Sequence, residues 1–159
     1  MTTLESLLSA LERFERKRLH PPVSEDDLAG MEKVLPHKVP GSLRLFLSAI
    51  SNGAELNQFV LFPCATPAPE RKEAKWLWNS LQRNNSPKTA PWFDRDQDTF
   101  ANFIVFATDG TACFCMPYGD DDPFIWMWEA GEDEVIELDY RLDGWLAESS
   151  LHDPNSGLE

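Results

Sequence analysis

Residues 103–108 and 111–116 are two runs of strand-forming side chains joined by Asp109-Gly110. Asp-Gly between such runs signals a hairpin, because the tight reversal needs positive φ, which glycine adopts without strain. A hairpin forces antiparallel pairing and excludes a purely parallel, doubly wound sheet. Side chains alternate across a strand. Phe103, Val105 and Ala107 are therefore expected on one face, and Cys113 and Cys115 together on one face of the returning strand. Another strand is expected over residues 124–128, after a turn holding three consecutive aspartates, and a fourth over 134–138, after Gly131.

Ahead of this region the apolar period is 3.6 rather than 2. Thr2 and Glu5 have the spacing of a capping box. Leu4, Leu7, Leu8, Leu11 and Phe14 follow at helical intervals, which predicts a helix over 4–18, ending before Pro21-Pro22. Ser24 is placed to cap a second helix. Its first turn holds Glu25, Asp26 and Asp27, where the helix dipole favours acids. Leu28, Met31 and Leu35 form its apolar stripe, and Pro36 ends it. Pro40 opens a third helix with Leu43, Phe46, Leu47 and Ile50 inward and Asn52-Gly53 as a left-handed stop. A short strand over 59–62, a helix over 70–83, an irregular, polar stretch over 84–98 and a closing helix carrying Leu142, Trp145 and Leu146 complete the pattern. The expected fold is a single α+β domain over residues 1–151. An antiparallel β-sheet is flanked by N-terminal helices and a C-terminal helix, and 152–159 form a frayed tail.

Charge limits the partners. The 159 residues hold 27 acids against 14 bases, a formal net charge of -13. Residues 1–91 carry 12 bases and 10 acids, whereas residues 92–159 carry 2 bases, Arg95 and Arg141, and 17 acids. Phosphate backbones and anionic membranes are repelled by such a half, and a basic protein is attracted. Surplus acids also serve plain solubility, so the charge bears on association and not on fold. No apolar run approaches the ~20 residues of a membrane span. The first ten residues carry an acid and no basic cluster, unlike a signal peptide. Three cysteines, Cys64, Cys113 and Cys115, cannot complete a disulfide framework, which points to a reducing, cytoplasmic location.

Catalytic and metal signatures are poor. Asp94, Asp96 and Asp98 open like a calcium loop, but the sixth and twelfth positions are Thr99 and Val105 instead of Gly and Glu. Cys113 and Cys115 lack a second ligand pair and read as packed strand residues. His20, His37 and His152 adjoin no nucleophile motif, and no phosphate or dinucleotide loop is present. No cofactor is expected. Trp126 and Trp128, two apart, share a strand face. Core packing is the commoner fate of such a pair. The alternative is an exposed anchor, because aromatics dominate interface energetics. The surrounding acids favour that alternative for a basic partner, and the expected partner-binding set is Asp120, Asp121, Asp122, Trp126, Trp128, Glu129, Glu132, Asp133 and Glu134.

Glu32-Lys33-Val34-Leu35-Pro36, then the apolar helix over 43–50, then Asn52-Gly53, resembles the N-terminal signature of the SUKH superfamily. The likeness continues through the strand over 59–62, the Asp109-Gly110 hairpin, the strand over 124–128 and the closing helix, and spans residues 24–150. The resemblance implies an α+β fold and a binding role without catalytic residues. Bacterial members are immunity proteins that block a toxin domain, often a nuclease or deaminase, and fungal members are regulatory or scaffold proteins. The leading expectation is thus a cytoplasmic immunity-type protein occluding a basic toxin cleft with its acidic half. An interaction adaptor of the same fold is the alternative, and a small carboxylate- or metal-dependent hydrolase ranks last. The sequence leaves the oligomeric state open.

Overall fold

Among the described residues, seven strands pair in chain order, each antiparallel to the next. The computed structural model describes residues 1–64, 80–85, 102–129 and 135–151. The strands are β1 (Lys17–Leu19), β2 (Ala54–Leu56), β3 (Phe59–Leu61), β4 (Phe103–Thr108), β5 (Ala112–Pro117), β6 (Trp126–Glu129) and β7 (Ile136–Glu137). The helices among the described residues are α1 (Leu4–Leu11), α2 (Glu25–Glu32), α3 (Gly41–Ala49), α4 (Leu81–Asn84) and α5 (Leu142–Ser149). The architecture is the α+β domain with an antiparallel sheet that the periodicity predicts.

Trp145 of α5 marks the sheet face that the helices cover. Its ring lies 5.6 Å from Phe59, 5.2 Å from Phe106 and 4.9 Å from Phe114. The register carries that face from Leu56 and Phe59 through Leu61, Ala107 and Phe114 to Met127. α1 packs on α5 and α3, and α2 on α3. The opposite face carries Glu55, Val60, Thr108, Cys113, Cys115, Trp126 and Trp128 by the same pairing.

The expected grouping of Phe103, Val105 and Ala107 is broken. Val105 pairs Cys115 but Ala107 pairs Phe114, so a β-bulge at Phe106 inserts one residue. Ala107 crosses to the helix face while Phe103 and Val105 stay on the other, which is what one extra residue does to a period of two. The bulge lets Phe106 reach Trp145. Asn85 then serves Val105 where β3 no longer runs beside it. Its Oδ1 accepts from Val105 N–H at 2.6 Å and its Nδ2 donates to Val105 O at 2.8 Å. Asn84 and Asn85, expected in an irregular stretch, are instead buried at the end of α4. The rest of the expected helix over 70–83, up to residue 79, and the rest of the polar stretch, from residue 86, lie outside the described residues. So do Asp94, Asp96, Asp98 and the tail over 152–159.

Helix α1 ends at Leu11, not at residue 18. Arg13 and Phe14 N–H groups donate back three residues, to Ala10 and Leu11, in a tightening last turn. Arg16 then exchanges bonds with Asn57, whose φ is 53°, and β1 begins. Sheet pairing outweighs helix propensity here. The cap is Thr3, reciprocally bonded to Ser6, rather than Thr2 with Glu5. Ser24 caps α2 as expected, accepting from Asp27 N–H at 3.2 Å.

Gly53 adopts a φ of +74°, and a Cβ there would lie 2.7 Å from Leu61 O. The neighbouring Asn52 bonds both the N–H and the C=O of Cys64. The Asn-Gly pair therefore ties the exit of α3 to the end of β3. Glu32 does similar work in the link between α2 and α3. Its Oε2 accepts from Val39 N–H at 2.7 Å, and its Oε1 meets the Arg44 guanidinium, which also reaches Glu25.

Candidate functional site

Strand β6 and the turn before it carry the residues singled out by charge and aromaticity, and the fold separates them into two groups. Trp126 pairs Cys115 near the far end of β5, and Trp128 pairs Cys113 next to the hairpin. Both indoles are half-buried. They stand on the face opposite Trp145 and the helical layer, and Trp126 packs edge-on to Phe103 at 5.3 Å. Among the described residues, both are partly buried side chains packed against the core cluster, on the face that Trp145 does not touch. The core of that face consists of Val105, Cys113 and Cys115, all fully buried.

Asp120, Asp121 and Asp122 do not act alike. Asp120 and Asp121 are exposed. Asp121 uses its backbone carbonyl to accept from Ser42 N–H at 2.7 Å, which seats the start of α3. Gly41 permits that approach, since a Cβ there would meet Asp121 O at 3.1 Å. Asp122 is a fastener. Its Oδ2 accepts from Thr2 N–H at 2.8 Å and lies 3.7 Å from Arg141 Nε. Arg141 also sits over the Phe124 ring at 4.6 Å. Among the described residues of the acidic half, Arg141 is the one Lys or Arg, and it is thus engaged. Sequence reasoning could not see this distinction, because it depends on contacts with Thr2 and Arg141, more than a hundred and nearly twenty positions away.

Glu129 is exposed and pairs Ala112 at the hairpin end of β6. By the strand alternation Glu129 shares the face of Met127, opposite the tryptophans, and the aspartate turn precedes β6 and is held to the starts of α1, α3 and α5. Glu132, Asp133 and Glu134 lie outside the described residues.

Below the aspartate turn, His37, Tyr118, Asp120 and Asp121 help line a cavity of about 310 Å³. The His37 and Tyr118 rings are 5.2 Å apart. Burial pushes the Tyr118 phenol well above its ordinary range, so it stays neutral. Among the described residues, no group of three or more His, Cys, Asp or Glu is arranged to hold a metal ion. Burial raises the Cys113 thiol from its ordinary 9.0 to about 12, with the Asp109 charge adding to the rise, and it raises Cys115 as well. Such thiols are poor nucleophiles and ligands at neutral pH.

The raised thiols have a stability consequence. Above pH 9 the unfolded chain loses thiol protons that the native chain retains, so unfolding is favoured as pH rises. For Cys113 alone, stability is expected to fall by about 1.4 kcal/mol per pH unit between roughly pH 9 and 12. Urea midpoints measured from pH 7 to 11 check this. Replacing Cys113 and Cys115 with Ala should flatten the alkaline limb, and an unchanged limb contradicts the assignment.

Among the described residues, a seven-stranded antiparallel meander with its accompanying helices defines an α+β fold. The chain matches the model of the SMI1 / KNR4 family (SUKH-1) over residues 22–148 and belongs to that family. It is a family of non-catalytic scaffold and binding proteins, with immunity and adaptor roles. A comparison with curated proteins returns no match. Glu32 and Asn52-Gly53, which carry the family likeness, hold the scaffold through their bonds to Val39 and Cys64. Among the described residues, no helix is long and apolar enough to cross a membrane.

Proposed function

We propose that the chain is an immunity-type protein that neutralises a toxin domain, a nuclease or deaminase, by direct occlusion in the cytoplasm. The observation that carries this reading is the half-buried Trp126 and Trp128 pair on the face opposite Trp145, in a stretch of chain whose Asp120, Asp121 and Glu129 are exposed. A cleft built to hold nucleic acid is basic, and an acidic face competes for it. The tryptophans supply desolvated anchors and the acids supply steering. Asp120, Asp121 and Glu129 are the exposed acids of the set among the described residues. Asp122 contributes to the local field, although its first task is to hold Thr2 and Arg141. Glu132, Asp133 and Glu134 extend the acidic run in sequence. The working unit is the domain over residues 1–151.

Co-expression with the product of an adjacent reading frame, followed by co-purification, tests the partner class. The surface is tested by Asp120→Asn with Asp121→Asn, leaving Asp122 intact. Asn keeps the acceptor that Asp120 offers to Asp122 N–H, and the Ser42 bond uses backbone only. The expected result is a slower on-rate with a weaker salt dependence and a nearly unchanged off-rate. Stopped-flow binding at two salt concentrations reads this, and an unchanged on-rate removes the aspartate turn from the working surface.

A further inference from the structure

A groove of about 290 Å³ lies on the helix face, between α5 and the outer strands. Phe114, Met127, Leu138 and Trp145 make its apolar walls, and Asp109 and Glu148 stand at its rim. Its described lining residues include no Lys, Arg or His. Asp109 Oδ1 accepts from the N–H groups of Thr111 and Ala112, which fixes that carboxylate in place. Glu148 is exposed on the last turns of α5. Ile136, which pairs Met127 and so shares its face, is 52% exposed.

We propose that this groove seats one long cationic side chain, an arginine or lysine, of a basic protein partner, a proposal that rests on the partner class argued above. The apolar walls suit the aliphatic stem of such a residue. The two carboxylates suit its charged head, and the aromatic lining favours a guanidinium in particular. The volume sits at the small end of ligand pockets, which fits a single side chain better than a bulky cofactor. An anionic ligand would meet two carboxylates with no cation to offset them. The groove also extends the binding surface around one strand. Met127 points into it from β6, while Trp126 and Trp128 project from the other face of the same strand, next to the outermost strand β7. A partner that grips this margin of the sheet meets both.

The test uses the full chain and the peptide acetyl-Ala-Arg-Ala-amide, with the citrulline peptide as its neutral counterpart. Two NMR probes read the groove, the Trp145 indole N–H and the Met127 methyl. The arginine peptide should give saturable shifts at both, and the citrulline peptide should bind several-fold more weakly. Glu148→Gln should weaken the arginine peptide by a similar factor, whereas Glu15→Gln should leave it unchanged. Equal binding of the two peptides, or no saturable shift at Trp145 and Met127, overturns the proposal. The peptide comparison on the unaltered chain makes the outcome independent of any variant's folding. Failure to capture a toxin domain, by contrast, would count against the proposed function and leave the peptide result standing.

Discussion

Trp145→Ala is expected to lower stability by about 3–5 kcal/mol, the usual cost of truncating a fully packed large aromatic. Trp145 is 3% exposed and touches Phe59, Phe106 and Phe114, which come from three different strands. Removing the indole takes away apolar burial and leaves a cavity that no single neighbour can fill, because each of the three rings is held by its own strand. Small domains have about 5–15 kcal/mol in total, so the loss is a large share. The melting temperature should fall by about 10 °C for a domain of this size. Trp145→Phe should recover part of the loss. Thermal unfolding followed by circular dichroism decides it, and a change below about 1 kcal/mol would mean that α5 does not clamp the sheet.

Much of this core was legible in the sequence. The 3.6 period located α2, α3 and α5, and the Asp109-Gly110 pair located the central hairpin with its antiparallel pairing. The parts that were not legible depend on distant contacts. β1 is three exposed residues with no alternation to read, and it exists because Arg16 finds Asn57 and Lys17–Leu19 finds β2. The bulge at Phe106 leaves no mark in an apolar run, so a strict alternation put Ala107 on the wrong face. Asn85 looks like loop composition, yet its side-chain amide stands in for a strand at Val105. The candidate site divides in the same way. Asp120, Asp121, Asp122, Trp126 and Trp128 could be named from charge and spacing. Which of those acids is a fastener, and which face the indoles take, follow from Arg141, Thr2 and the placement of α5. The groove beside Glu148 had no sequence signal at all, since its lining comes from β3, β5, β6 and α5 together.

Replacing Trp126 and Trp128 together with Ala should remove most of the binding energy for the partner while keeping the fold. Anchor tryptophans at interface centres typically cost 2 kcal/mol or more each, so the double variant should bind at least about 100-fold more weakly. The loss should appear in the off-rate, in contrast to the on-rate effect of the aspartates. Both indoles are half-buried on the face away from Trp145, so their removal should cost far less stability than Trp145→Ala. A cooperative urea transition with an unchanged slope serves as the check that the variant is folded. Full binding by a folded double variant would return these side chains to a packing role.

The most direct measurement of the central claim is inhibition of a candidate nuclease or deaminase toxin domain, taken from the product of an adjacent reading frame, titrated with the purified protein at low and at physiological salt. Complete inhibition is expected at one chain per toxin domain. The potency should fall as salt rises and should be lost in the folded Trp126→Ala, Trp128→Ala double variant. No inhibition by the unaltered chain at either salt, or equal inhibition by the double variant, would contradict occlusion through the aromatic face of β6 with acidic steering.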